Sequence, residues 1–296
     1  MQFVAKRRNR LQRLLNRVPV LGDILRRPLG FLGFLIILGF LTMVVAAPLI
    51  APRGPEKQDV FHRLEGPSAS YLFGTDHLGR DLFARIVFGS RIAVQVALPA
   101  VAVALVGGAF LGLLAGYLGG IVDDIVVVYM DSAKAFPAII LALAILAVLG
   151  QSLTNEIIVI GFAWIPNYAR VARAQVLSVR QNLYVQAEQS LGAGRGRILT
   201  RHILPNILAP LLILAAMDLP VVITVEAGLS FLGLGVRPPT PSWGVILSNG
   251  FENIFESQWP IAWAGLTLII TTLGFTLFGE TLRDVLDPRL IGTRRG

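Results

Sequence analysis

Apolar and polar positions are sorted into long blocks along this chain. Residues 29–50 form a run of 22 positions without a charged side chain. As a helix this run would be roughly 33 Å long, enough for the roughly 30 Å hydrocarbon core of a bilayer. It is longer than the roughly 7–15 apolar residues of a secretory signal, so it reads as a retained first span. A second span is expected within 92–122, a third at about 125–150, a fifth at about 207–234 and a sixth at 259–279. The fourth begins near Glu156, and only 13 residues separate that acid from Arg170. That interval covers roughly 20 Å, too little to cross the core, so the helix must continue past Arg170, Arg173 and Arg180. Steps of three and seven place these arginines on one stripe, facing a water-filled cavity or the cytoplasm rather than lipid. The pattern predicts an all-α integral membrane protein with six transmembrane helices.

The segments between the blocks are unequal. Residues 51–91 are mixed in charge and rich in turn formers, as an outside loop would be. Their last part, "GRDLFARIVFGSR", puts Leu82, Phe83, Ile86 and Val87 on one helical face. Two readings fit: an interfacial amphipathic helix feeding the second span, or an ordinary surface helix. After the fifth span, "GVRPPTPSWGVILSNGFENIFESQ" is stiffened by prolines and puts Trp243 at interfacial depth. The stretch "AEQSLGAGRGRILTRHILPN", residues 187–206, is polar and arginine-rich between two apolar blocks. Asn182 can cap a short helix through about Leu191, Gly192 to Gly194 can turn the chain, and a second short helix should end before Pro205. Helices this short are marginal alone in water, so the pair reads as a docking element for a soluble partner.

Charge gives the orientation. Of all residues 54% are hydrophobic and 15% charged, and the net charge is +8. A nucleic-acid reading needs those bases gathered on one soluble face, whereas here they flank apolar spans. Residues 1–28 carry eight bases, among them Lys6, Arg7 and Arg17, against one acid, Asp23, and six arginines lie between Arg170 and Arg201. With the tail bases Arg283, Arg289, Arg294 and Arg295, this places both termini in the cytoplasm.

Within the spans, Ala104, Gly108, Gly112, Gly116 and Gly120 recur every four residues and make a smooth strip for close helix packing. Asp131 and Lys134 can meet on one helix face. They are a functional-site hypothesis by default, with a snorkelling or structural ion pair as the competing reading. Asp218 and Glu226, eight apart, lie about 80° from each other around a helix, so one cavity could see both. They are pathway candidates, and Glu226 has a second reading as an inter-subunit hydrogen bond.

Several chemistries are excluded. A P-loop needs G-x-x-x-x-G-K-[ST], and the only lysines, Lys6, Lys57 and Lys134, do not follow glycine. "GAGRG" at 192–196 has neither the spacing nor the preceding strand of a dinucleotide turn. Cysteine is absent, and His62, His77 and His202 lie too far apart for a metal cluster. No nucleophile, base and acid converge, so an enzyme is not expected. An ATP-independent secondary transporter or channel is the rival class, but the halves show no internal repeat and the docking segment would go unexplained.

At the polar stretch the chain resembles the permeases of binding-protein-dependent ABC importers. Their cytoplasmic loop reads E-A-A, three residues, G, nine residues, I-x-L-P. The matching positions are Gln186, Ala187, Glu188, Gly192, with Ala193 beside it, and then His202, Leu204 and Pro205. Gln186, Glu188 and His202 depart from the pattern. "FGTDHLGRDLFARIVFGSRIA", "EAGLSFLGLGVRPPTPSWG" and "DVLDPRL" extend the resemblance to the C-type permeases of dipeptide and oligopeptide importers, whose subfamily includes nickel and oligosaccharide systems.

The resemblance implies a type I ABC importer permease fold in the cytoplasmic (inner) membrane of a bacterium or archaeon. Its parts would be a basic cytoplasmic segment at 1–28, the first transmembrane helix at 29–50 and an extracytoplasmic loop at 51–91. A permease core would follow at 92–281, with the coupling loop at 182–205, and a cytoplasmic tail at 282–296. The implied partners are a paralogous B-type permease, two ATP-binding subunits, an extracytoplasmic solute-binding protein and membrane lipid, with no nucleic acid. No cofactor is expected on this chain, and ATP and Mg would belong to the partner subunits.

Overall fold

The computed structural model describes residues 19–286. The basic residues before 19, Arg289, Arg294 and Arg295, and most of "DVLDPRL" lie outside the described residues. Every regular element among the described residues is helical.

A short helix α1 (Pro19–Arg26) leads into α2 (Pro28–Ile50). Pro28 stands in the first turn of α2, where a missing N–H costs nothing. The next helix, α3 (Leu82–Leu118), is 37 residues long, roughly 56 Å. It absorbs the amphipathic segment 82–91, which is neither a separate interfacial helix nor a separate surface helix. Asp81 caps its start, accepting from Phe83 N at 2.9 Å, and Leu82, Ala84, Ile86 and Val87 are buried. No helix stop occurs until Gly119, whose φ of 68° favours glycine.

The expected third span is not one straight helix. It consists of α4 (Gly120–Lys134) and α5 (Ala138–Leu149), bent by 85°. Pro137 donates no N–H and disfavours helical geometry at Phe136, which accounts for the break. The fourth helix, α6 (Leu153–Arg180), runs unbroken for 28 residues past its arginines. Ser152 caps it, accepting from Asn155 N at 3.1 Å, and the Asn155 amide donates back to Leu149 O and Gly150 O.

After α6 come α7 (Leu183–Ser190), the single-turn α8 (Arg195–Ile198), a π-helical turn (Leu199–Ile203) and α9 (Leu204–Phe231). The second arm therefore does not end before Pro205. Pro205 sits in the first turn of α9, and the wide turn at Leu199–Ile203 carries the helix onward. The bundle closes with α10 (Trp243–Glu252) and α11 (Trp259–Leu286).

Among the described residues four helices are long and apolar enough to cross a membrane: α2, α3, the continuous stretch Arg195–Phe231, and α11. The bent pair α4 and α5 makes a fifth if counted as one. The expected six is not reached on length and apolarity alone, because α6 carries Glu156 and its arginines inside its length.

Glycines set the packing. On α3, a Cβ at Gly108 would lie 2.2 Å from Tyr168 Cβ, one at Gly112 2.4 Å from Ala172 Cβ, and one at Gly116 2.8 Å from Val176 Cβ. Partner numbers rise together, so α3 and α6 run parallel with almost no side-chain layer between them. Gly33 on α2 faces Gly274 and Phe278, and Gly30 faces Thr281, so α2 and α11 are antiparallel. Arg27 and Asp284, 3.0 Å apart, tie the start of α2 to the end of α11.

Candidate functional site

The polar stretch forms a hairpin at the C-terminal end of α6. Its first arm, α7, ends in a Schellman turn. Gly192 N donates to Gln189 O and Ala193 N to Glu188 O, both at 3.0 Å, with Gly192 at φ 81°. A Cβ there would meet nothing within 4 Å. Glycine is thus required by the left-handed backbone and not by crowding. Asn182 precedes α7 in extended geometry, but its side chain makes no capping bond; its carbonyl accepts from Val185 N and Gln186 N.

Short helices need a tertiary anchor, and three side chains supply it. Val185, Ile198 and Ile203 are fully buried against the bundle, and Ala193 and Leu204 pack partly buried beside them. Gln186 and Ala187 are exposed, and Leu183 and Leu191 are 84% and 83% exposed. Arg195, Arg197 and Arg201 also face outward. The arms touch each other where two of the departures from the family pattern meet: Glu188 Oε1 lies 3.8 Å from His202 Nε2. Asn206 donates to His202 O at 2.6 Å and to the Tyr184 hydroxyl at 3.3 Å.

The arginine stripe of α6 has protein partners. Arg173 meets Asp123 with two nearly parallel bonds, 2.5 Å from Nε and 2.6 Å from Nη2. Arg170 reaches Asp131 at 2.7 Å, and Arg180 donates to Gly116 O and Tyr117 O, the open carbonyls ending α3, both at 3.2 Å. The expected pairing of Asp131 with Lys134 does not form, because Asp131 turns to α6 and Lys134 is exposed. Asp123 was not singled out in the sequence, since its partner lies 50 residues away.

Asp218 and Glu226 do not share surroundings. Asp218 sits beside Tyr168, and the buried carboxylate and hydroxyl interact with each other rather than with any third group among the described residues. Glu226 is enclosed within its own chain at 0% exposure, accepting from Ser230 Oγ at 2.9 Å. Glu156, also at 0%, lies close to it, and both its carboxyl oxygens are unpartnered. Within this chain Glu226 is bonded along its own helix, to Ser230. The sequence offers no sign of the neighbouring acid, because Glu156 and Glu226 lie on helices far apart in the chain.

At the opposite end, the motif "FGTDHLGRD" has a structural explanation. Asp76 accepts from Leu78 N and Arg80 N at 2.9 Å and from Arg80 Nε at 2.6 Å, and lies 3.4 Å from Arg85 Nε. Gly79, at φ 72°, lets the loop pass Asp59, whose carbonyl oxygen would be 1.8 Å from a Cβ. Burial and the cations Arg80 and Arg85 hold the His77 imidazole below its ordinary pKa, against the opposing pull of Asp76 and Glu252. Trp243 locks α10 to α3, donating from Nε1 to Ile86 O at 3.0 Å.

Residues 108–292, more than half of the chain, match the family described as the binding-protein-dependent transport system inner membrane component. The dipeptide transport system permease protein DppC of Alkalihalophilus pseudofirmus is 40% identical over 265 residues, covering 90% of this chain and 87% of that protein. The probable D,D-dipeptide transport system permease protein DdpC of Escherichia coli K12 is 40% identical, covering 90% and 89%. The glutathione transport system permease protein GsiD of Pectobacterium atrosepticum is 36% identical over 267 residues, covering 90% and 89%. With its apolar helices, the parallel α3–α6 pair and the projecting hairpin, the chain belongs to the binding-protein-dependent transport system inner membrane components, a family of multi-pass transport proteins and not of enzymes.

Proposed function

We propose that this chain is one of two paralogous permeases of an ATP-driven importer, and that it passes peptides delivered by an extracytoplasmic binding protein. The observation that carries the reading is the hairpin itself. Buried Val185, Ile198 and Ile203 fasten it to the bundle, while Leu183 and Leu191 are left almost wholly exposed. Apolar side chains so displayed beside exposed Arg195, Arg197 and Arg201 suit a groove in a soluble protein better than open water. Hydrolysis of ATP, with its Mg, belongs to two separate subunits, whose closure would displace the hairpin and tip the helices between inward- and outward-facing states. The hairpin end of the bundle, with the start of α2 and the end of α11, faces the cytoplasm. At the other end, a cleft of about 430 Å³ lined by Leu64, Phe255, Gln258 and Trp259 faces the binding protein. The relatives named for dipeptides and glutathione support a peptide cargo.

Co-purification with the ATPase subunits tests the docking claim. Gly192→Glu with Leu204→Asp is expected to abolish capture and ATP-dependent uptake together. Uptake unchanged in that variant sinks the coupling role of the hairpin.

A further inference from the structure

The hairpin joins the bundle through α6, whose last residue, Arg180, stands three positions before Leu183. Two kinds of contact then lead away from α6. Toward α3 the contact is steric, through Gly108, Gly112 and Gly116. Toward α4 a small apolar cluster, Val126 and Met130 against Ala169 of α6 and Ala115 of α3, is joined by ion pairs, and these are the directional part of the contact. Of its 15 residues only Val126 and Met130 are buried. Among its ion pairs, Arg170–Asp131 is half exposed, at 51% and 64%, and contributes little in water. Arg173–Asp123 is 30% and 19% exposed and two-pronged, the arrangement that fixes both distance and orientation. Beyond Lys134 the chain turns through 85° into α5, so whatever sets α4 also sets the bent pair.

Resting on the coupling role proposed above, we infer that Asp123 and Arg173 are positioning residues. Their ion pair makes α4 move with α6, so that displacement of the hairpin reaches the bent pair α4–α5. Without the pair, the glycine contacts still carry α3, but α4 slips and ATP is spent without a matching passage of cargo. A merely stabilising pair would lower transport and hydrolysis together, whereas a transmitting pair changes their ratio.

The chain has no cysteine, so nitroxides can be placed on Ser132→Cys in α4 and Ser190→Cys in the hairpin, both exposed, within the assembled transporter with cysteine-free partners. The intact pair is expected to give one narrow inter-label distance with and without nucleotide. Asp123→Asn and Arg173→Gln should broaden it, and the exchange variant Asp123→Arg with Arg173→Asp should narrow it again. In proteoliposomes, uptake of radiolabelled dialanine per ATP hydrolysed should fall roughly tenfold in the single variants, the size of one charge-assisted bond, and recover on exchange. Should a single variant fail to assemble, the neutral pair Asp123→Asn with Arg173→Gln provides the measurement. A neutral pair with the original distance and uptake ratio overturns the inference, as does an exchange no better than the single changes. If the unaltered transporter takes up no dialanine, the peptide reading alone fails and the label distances still decide the role of the pair.

Discussion

Gly112→Ala tests the close approach of α3 and α6 with one methyl group. At that position the new Cβ would lie 2.4 Å from Ala172 Cβ, 2.5 Å from Ala169 O and 2.8 Å from Arg173 N. Carbon atoms in good contact stand about 3.5–4.0 Å apart, so α3 and α6 would have to separate by roughly 1 Å or more. Overpacking of this kind costs about 1–3 kcal/mol. Because the clash includes backbone atoms, the upper part of that range, about 2–3 kcal/mol, applies; replacing glycine by alanine inside a helix returns up to about 1 kcal/mol, leaving a net loss of about 1–2 kcal/mol, or about 2–8 °C in melting temperature. Gly228→Ala in α9 is the control, since a Cβ there meets nothing within 4 Å. That substitution should leave the melting temperature unchanged or raise it. Thermal unfolding of the purified chain in detergent, followed by tryptophan fluorescence, reads both. A Gly112→Ala protein as stable as Gly228→Ala would falsify the proposed close approach.

Two further outcomes concern the loop before α3. Asp76→Asn keeps an oxygen for Leu78 N and Arg80 N but leaves the buried guanidinium groups of Arg80 and Arg85 without a counter-charge. It should destabilise the loop by about 3–5 kcal/mol, seen as rapid proteolytic cleavage within 51–81. His77 is held below its ordinary pKa of 6.5 by burial first and then by Arg80 and Arg85, with Asp76 and Glu252 opposing. The unfolded chain therefore binds the proton more readily, so the stabilising contribution is full above pH 6.5 and is lost as pH falls below it. His62, raised by its bond to Asp59, acts in the opposite sense, so the comparison must be made against His77→Gln. The native chain should lose more melting temperature between pH 7.5 and pH 5.5 than His77→Gln does; equal losses would remove His77 from the account.

Much of the architecture was legible in one dimension. Lipid gives no hydrogen bonds to the backbone, so a lipid-facing span is a helix with apolar side chains, and the runs ending at Ile50 and starting at Trp259 announce themselves. Gly192 is similarly local, because a left-handed helix end needs its residue type whatever lies around it. The strip at Gly108, Gly112 and Gly116 showed that some backbone would come close, though not which one. Only the folded chain chose α6 as that partner, joined Arg173 to Asp123 and Arg170 to Asp131, and enclosed Glu156 beside Glu226. It also carried the second hairpin arm through Pro205 into α9 and bent the third span at Pro137. Apolarity and turn chemistry are properties of neighbours in sequence. The partner of a buried charge is settled by which helices pack together, and those contacts join residues 39 and 50 positions apart.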